Sequence, residues 1–262
     1  MRETKSFPCI IFEKYPENIV FFAVETRNVT GIMAKISSIL GRANMSILNG
    51  FHGLYDGGER WYWVFAVDPS EARVGVEEVA EEIKALDDVL DVSYGVRRVA
   101  GMVLPPFAID LRMRRLKAYV FDENAISMFL KSLWERWGSA GAVFLYHTGR
   151  WAGRTMASAW AVRFGVTELK DLLSLMAAMY QLSGLVRDYE MSVGVNEAIV
   201  RLYEYFECSC LRGADKPSGY LMRGILAGMF EECMGVEVSV IEERCVAAGD
   251  PYCEFRVKFS VE

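Results

Sequence analysis

Two periodicities alternate along the first hundred residues. Asn18 to Glu25 (NIVFFAVE) is β-branched and aromatic and predicts a strand. From Thr30 to Arg42, Ile32, Ile36, Ile39 and Leu40 recur at helical spacing; Thr30 is placed to cap that helix and Gly41 to end it. Met45 to Leu54 and Arg60 to Val67 read as strands around the turn Tyr55-Asp56-Gly57-Gly58-Glu59. Val74 to Leu86 is an amphipathic helix with its acids outward, and Val89 to Arg97 a closing strand. The order is β-α-β-β-α-β.

Gly101, Pro105 and Pro106 interrupt the pattern, so residues 99–112 read as a linker between domains at 1–98 and 113–262. Beyond it the pattern predicts a strand from Arg115 to Phe121 and a helix from Glu123 to Trp137, ended by Gly138. An apolar run from Gly141 turns at Gly149, and helices follow over Gly153–Phe164 and Glu168–Leu182. Strands over Gly184–Val193 and Asn196–Glu204, a helix over Pro217–Met234, and a hairpin of Val236–Glu243 with Tyr252–Val261 complete an α+β chain with antiparallel strands.

Composition narrows the class. The chain has 262 residues, 52% of them hydrophobic, which is enough for two cores. A net charge of −6 argues against direct nucleic-acid binding. The basic cluster Arg112-Met113-Arg114-Arg115 reads as a solvated strand entry. No apolar run is long enough to cross a membrane and no signal peptide opens the chain, so a cytoplasmic protein is expected.

Five of the six cysteines fall after residue 207, a clustering that favours metal binding over disulfides in a reducing compartment. Cys245 and Cys253 flank the turn Gly249-Asp250-Pro251, so two antiparallel strands can bring their thiols together. Glu242 precedes Cys245 by three residues, and strict alternation would put the two on opposite faces. The chain must bend between them for both to hold one metal. A fourth ligand would come from Cys208 or Cys210. Three thiolates and a carboxylate suit tetrahedral Zn²⁺ in a closed, structural site. The alternative is an inert hairpin or a Cys245–Cys253 disulfide.

Aromatic residues and methionines crowd the helical part of the second domain. Trp134, Phe144, Tyr146, His147, Trp151 and Trp160 are the candidate walls of an apolar ligand pocket, with His147 placed to meet a phenol-like hydroxyl. No Ser-His-Asp order, HExxH, GxGxxG or P-loop is present, and no catalytic residue is assigned.

Two resemblances sharpen these readings. The first domain, over roughly residues 16–98, resembles the ACT family, a regulatory ferredoxin-like βαββαβ fold. The stretch Asn28-Val29-Thr30-Gly31 stands where that family has Asp-x-Pro-Gly, and Asn44-Met45-Ser46-Ile47 starts the second strand. Asn28 replaces an acid and Thr30 a proline. The resemblance implies dimerisation and an amino-acid effector site at Asn28, Thr30, Gly31 and Ile47. The second domain resembles the 4-vinyl reductase family over about residues 115–260. The carriers are Tyr146-x-x-Gly149-x-x-x-Gly153, Gly224-x-x-x-Gly228, and Glu242-x-x-Cys245-x-x-x-Gly249-Asp250-x-x-Cys253. That family implies a fold similar to vesicle-tethering-complex subunits and nitric-oxide sensors. Its phenol-responsive members bind zinc through the Glu-Cys-Cys set plus an upstream cysteine, near an aromatic pocket.

Together these imply a cytoplasmic small-molecule sensor. It would bind an apolar or aromatic ligand beside a structural Zn²⁺, dimerise through its ACT-like domain, and signal to a regulatory protein partner. The aromatic strand Trp61-Tyr62-Trp63-Val64-Phe65 motivates that homodimer, since both of its faces are apolar. The rival readings are an accessory component of a tetrapyrrole vinyl-reductase-type enzyme and a protein-assembly scaffold.

Overall fold

The computed structural model describes residues 12–13, 18–113 and 116–259. They form two compact units, within residues 5–118 and 119–262. Arg114, Arg115 and residues 260–262 lie outside the described residues, and with them parts of the basic cluster and of the final expected strand.

The first unit opens with β1 (Phe12–Glu13) and β2 (Val20–Arg27), then α1 (Ile32–Arg42), β3 (Ser46–Tyr55), β4 (Arg60–Asp68), α2 (Val76–Lys84) and β5 (Val89–Gly95). The four long strands form an antiparallel sheet in the order β3-β4-β2-β5. Alternation along β4 sends Trp61, Trp63 and Phe65 to one face, where they are buried with Ile36, Ile39 and Leu40 of α1 and Val79 and Ile83 of α2. The helix start differs in detail from its expectation. Gly31, at φ 86°, is the N-cap of α1, and Thr30 makes no capping bond. Gly41 lies inside the helix, which runs on to Arg42.

The stretch expected as a linker is structured. β6 (Arg97–Val99) and β7 (Met102–Leu104) form an antiparallel hairpin, with β1 on its other side. Val103 from this hairpin, with Phe107 and Ile109, packs on the second face of the sheet against Phe21, Val64 and Ala66. That face, which the sequence leaves for a second copy, is thus covered within one chain. Short strands β8 (Arg112–Met113) and β9 (Leu116–Lys117) end the unit; the strand expected over Arg115–Phe121 is reduced to β9.

The second unit is built on α3 (Glu123–Phe164), one 42-residue helix where the sequence predicts three segments. Asp122 caps it by accepting the Ala125 N–H at 3.0 Å. Gly138 does not end the helix but kinks it, at φ 49° and ψ −122°. Next come α4 (Leu169–Leu182), β10 (Asp188–Val193), β11 (Glu197–Tyr203), the short α5 (Phe206–Cys210), α6 (Tyr220–Met234), β12 (Val238–Arg244) and β13 (Cys253–Phe259). The strands form an antiparallel sheet in the order β10-β11-β13-β12. Helix α6 is apolar around its whole circumference, and Met222, Ile225, Leu226, Met229 and Phe230 are all buried.

Gly149 does not turn the chain; it permits contact between helices. A Cβ on Gly149 or Gly153 would lie 2.2 or 2.1 Å from the carbonyl oxygens of Leu221 and Ile225. One on Gly224 or Gly228 would lie 2.0 or 1.9 Å from those of Tyr146 and Arg150. The two Gly-x-x-x-Gly faces therefore bring the backbones of α3 and α6 together. Beside them Arg150 and Arg154 both donate to the buried Glu231 carboxylate, each at 2.8 Å.

Candidate metal centre

Three short segments meet at the start of α6. Helix α5 supplies Cys208, the end of β12 supplies Glu242, and the turn after it supplies Cys245 and Cys253. One ligand atom from each of the four lies within 4.8 Å of the others, and all four residues are buried. The bend that the sequence requires is a β-bulge. Glu242 pairs with Phe255 and Arg244 with Glu254, so Glu243 is the extra residue and both Glu242 and Cys245 turn inward. The turn is closed by Asp250, whose carboxylate accepts the Cys245 N–H at 2.8 Å, and by Gly249 at φ 100°.

Of the two candidate fourth ligands, Cys208 enters the cluster and Cys210 does not. The two are one-half helical turn apart on α5, so they cannot share a face. Cys210 instead accepts the Ser127 hydroxyl at 2.8 Å and packs with Leu130 and Leu145.

Backbone donors surround the thiols. The Ser218 N–H points to Cys245 Sγ and the Val246 N–H to Cys253 Sγ, both at 3.4 Å. Gly219 N–H donates to Glu242 Oε2 at 2.7 Å, and Cys208 Sγ lies 3.6 Å from Glu242 Oε1. Such donors favour ionised sulfur and oxygen. The thiols also polarise one another. Cys208 and Cys253 donate to Cys245 and hold it well below the usual thiol value. Cys208 is driven up by those same donations and by burial. Burial, then the nearby Cys245, pushes Glu242 to about 8. Without a cation the cluster carries protons that a cation would displace.

The donor set fits a soft, tetrahedral divalent ion. With Zn–S bonds near ~2.3 Å, tetrahedral ligands stand about 3.8 Å apart, a modest contraction from the observed spacing. Among the described residues, Cys208, Cys210, Cys233, Cys245 and Cys253 are all free thiols, so no disulfide competes for the set.

Glu207, adjacent to Cys208, is a residue that sequence reasoning does not single out. It is fully buried, accepts the N–H groups of Leu221 and Met222 at 2.9 and 3.3 Å, and takes the Tyr205 hydroxyl at 3.0 Å. Burial raises its carboxyl to about 7. Helix α6 has no cap of its own, and Glu207 with Glu242 replaces it. The sequence signal is weak: an acid beside an aromatic, in a segment separate from the helix it caps.

The expected aromatic pocket is not assembled. Phe144 and Trp151 are exposed on the outer face of α3, and His147 is exposed with its ring at 5.4 Å from that of Tyr146. Tyr146 and Trp160 are half-buried against the core. The glycine contact between α3 and α6 leaves no room for aromatic walls between those helices. Of the expected walls, Trp134 alone lines a cleft, of about 450 Å³, together with Lys131, Arg212, Asp215, Lys216 and Ser218. Its ring lies 5.2 Å from that of Tyr220, and its buried indole N–H has no acceptor among the described residues.

In the first unit the expected effector residues are dispersed. Asn28 donates to the Gly58 carbonyl at 2.8 Å, and Gly31 caps α1. Asn28 follows the end of β2 at the level of Arg60, whereas Ile47 pairs with Val67. Those levels are roughly 20 Å apart along β4, so one copy does not unite them.

Residues 198–259 match the model of the 4-vinyl reductase domain, and all four cluster residues fall inside that segment. An uncharacterized protein of Methanocaldococcus jannaschii is 29% identical over 82 residues, which is 30% of this chain and 51% of that protein. The chain spans about half the length of the curated relatives it matches. Among solved structures, the phenol-responsive sensory domain of the transcription activator PoxR with phenol is similar at TM-score 0.47 and 16% identity, over 62% of this chain and 84% of that one. A vinyl-4-reductase family protein from Methanocaldococcus jannaschii is similar at TM-score 0.39 and 16% identity, over 55% of this chain and 85% of that one.

Proposed function

We propose that the second unit is a small-molecule-sensing domain of the 4-vinyl reductase type, stiffened by one structural Zn²⁺ held by Cys208, Glu242, Cys245 and Cys253. The observation that carries this reading is the double attachment of the segment 211–219. On one side it lines the Trp134 cleft. On the other its backbone is bonded to the cluster, through Ser218 to Cys245 and Gly219 to Glu242. Gly213 and Ala214 also donate to the Ala247 carbonyl, between the two turn cysteines. A ligand seated in the cleft would order a segment that the metal already holds at its other edge. Binding would then shift the population of that segment rather than drive chemistry.

The ligand class follows from the cleft. The indole N–H of Trp134 calls for an acceptor oxygen, the Trp134–Tyr220 pair for an aromatic or apolar body, and the lysine–arginine rim tolerates an acidic group. Phenols and benzoates combine these features. The free thiols support a reducing compartment, the cytoplasm, and no described helix is long and apolar enough to cross a membrane.

The chain order and the sheet order β3-β4-β2-β5 support a ferredoxin-like, ACT-like reading of the first unit. Its part would be regulatory. An amino-acid effector bound there would need residues from a second copy, because Asn28 and Ile47 stand at opposite ends of one sheet.

The test is a panel of phenol, benzoate and hexanoate against the full chain, read by melting temperature and tryptophan fluorescence. A saturable rise in melting temperature with phenol or benzoate is expected. Trp134→Phe, which keeps the ring but removes the N–H, should lose that rise while Trp151→Ala keeps it. No shift with any of the three, in protein holding stoichiometric zinc, would defeat the sensor reading.

A further inference from the structure

The solvent side of α3 carries large apolar residues that neither core uses. Phe144 is 52% exposed, Trp151 70% and Val162 90%. They lie opposite the buried row Gly141, Leu145, Gly149, Gly153 and Ala157. At 100° per residue, Ala140, Phe144, Trp151, Thr155, Ser158 and Val162 fall on one stripe, and no charged residue interrupts it. Arg150 and Arg154 flank the stripe but are drawn inward to Glu231. Trp137, seven residues before Phe144 and across the Gly138 kink, is also 61% exposed.

We propose that this stripe is the interface of an antiparallel α3–α3′ homodimer whose two-fold axis passes beside Trp151. The argument is the symmetry of side-chain size about that residue. In an antiparallel pair, positions equally distant from Trp151 on either side meet across the axis. Phe144 then faces Ser158, seven residues away on the other side; Ala140 faces Val162, eleven away; and Trp137 faces Gly165, fourteen away. At each level a large side chain meets a small one, which is knob-and-hole packing, and Trp151 meets its own copy at the centre. A parallel pair would set Phe144 on Phe144 and Ser158 on Ser158, leaving gaps and clashes in alternation. A stripe without charge offers nothing to an acidic or basic partner. The contact is isologous, the commonest symmetry of soluble oligomers.

The area is adequate. Phe144, Trp151 and Val162 expose roughly 400 Å² of side chain, about half of the ~800 Å² that each partner gives to an interface of standard size. Thr148, Thr155 and the flanking stems extend it.

The experiment uses the full chain, with mass by light scattering at about 1 to 50 µM and p-benzoylphenylalanine at position 144. Wild type should run at twice the chain mass, and irradiation should link position 144 to peptides around 158 of the other copy. Trp151→Glu should give a monomer whose circular dichroism and zinc content match wild type. Phe144→Ser and Ser158→Phe should each weaken the dimer at least tenfold, and the double exchange should restore it, because antiparallel pairing only swaps knob and hole. Ser158 also donates to Glu232, so the Trp151→Glu result stands as the independent check. A monomeric wild type at 50 µM, a dimer indifferent to Trp151→Glu, or a cross-link from 144 to 144 would each overturn the proposal.

Discussion

The backbone N–H of Gly219 is bonded to the Glu242 carboxylate at 2.7 Å, and a Cβ at position 219 would stand 2.9 Å from Glu242 Oε1 and from Phe255 Cζ. The start of the central helix and the thiol cluster are therefore one piece of structure. Loosening either should loosen the other.

Zinc content follows from that coupling. Protein purified without chelator should hold one Zn²⁺ per chain by elemental analysis. Cys208→Ser, Cys245→Ser, Cys253→Ser and Glu242→Gln should each weaken metal binding by about 100-fold or more, since even outer-shell changes cost 10–100-fold. Cys210→Ser should leave stoichiometry unchanged, because its sulfur faces Ser127. Strong chelation should lower the melting temperature of the second unit, because metal binding energy is partly folding energy. Stoichiometry well under one in the wild type would refute the site.

Metal loading should also release protons. Glu242 is pushed to about 8 and the Cys208 thiol is raised, so at pH 7 the metal-free cluster is largely protonated outside Cys245. A cation must displace those protons. Apparent zinc affinity should therefore rise with pH between 6 and 8, and an indicator dye should record more than one proton released per ion bound.

The helix contact gives a pair of substitutions with opposite signs. Gly228→Ala places a methyl 1.9 Å from the Arg150 carbonyl oxygen and must push α6 from α3, at about 1–3 kcal/mol or more. Gly41→Ala, in the interior of α1 with open space around it, should stabilise by about 0.5–1 kcal/mol. Urea unfolding of the two variants against wild type reads both.

Acid stability depends on Glu231. Burial opposes its charge, but Arg150 and Arg154 win and hold its carboxyl below the ordinary glutamate value of 4.5. The folded state keeps it ionised where the unfolded chain takes a proton. Its contribution is therefore full above about pH 5 and is lost as pH falls through the folded value. Glu231→Gln should cost about 2 kcal/mol at pH 7. That difference should shrink below pH 4.5 in denaturation curves taken at pH 7, 5 and 3.5.

Much of the candidate site is legible in the amino-acid order alone. The spacing Glu242-x-x-Cys245 and the Gly249-Asp250-Pro251 turn act over a short stretch, and local backbone chemistry is enough to bring those side chains together. The need for a bend at Glu243 follows from strand alternation. Most strands and helices of the first unit are legible for the same reason: each is an apolar period between turn residues.

What the sequence by itself does not decide lies in contacts between distant segments. Cys208 and Cys210 are the same residue type two positions apart, and only the packing of α5 beside β12 tells them apart. Gly149 reads as a turn residue in isolation; its role appears only when Gly228, far along the chain, meets the same helix. Phe144 and Trp151 are aromatic like core residues, yet the core side of α3 is taken by glycine and alanine, so they are left on the surface. Residues 99–112 carry linker composition, yet they cover a sheet face that is otherwise bare. Periodicity reports that a residue is apolar and which way its neighbours lie on one element. Which element comes to rest against it is a property of the tertiary structure, because burial is shared between surfaces that the chain brings together only on folding.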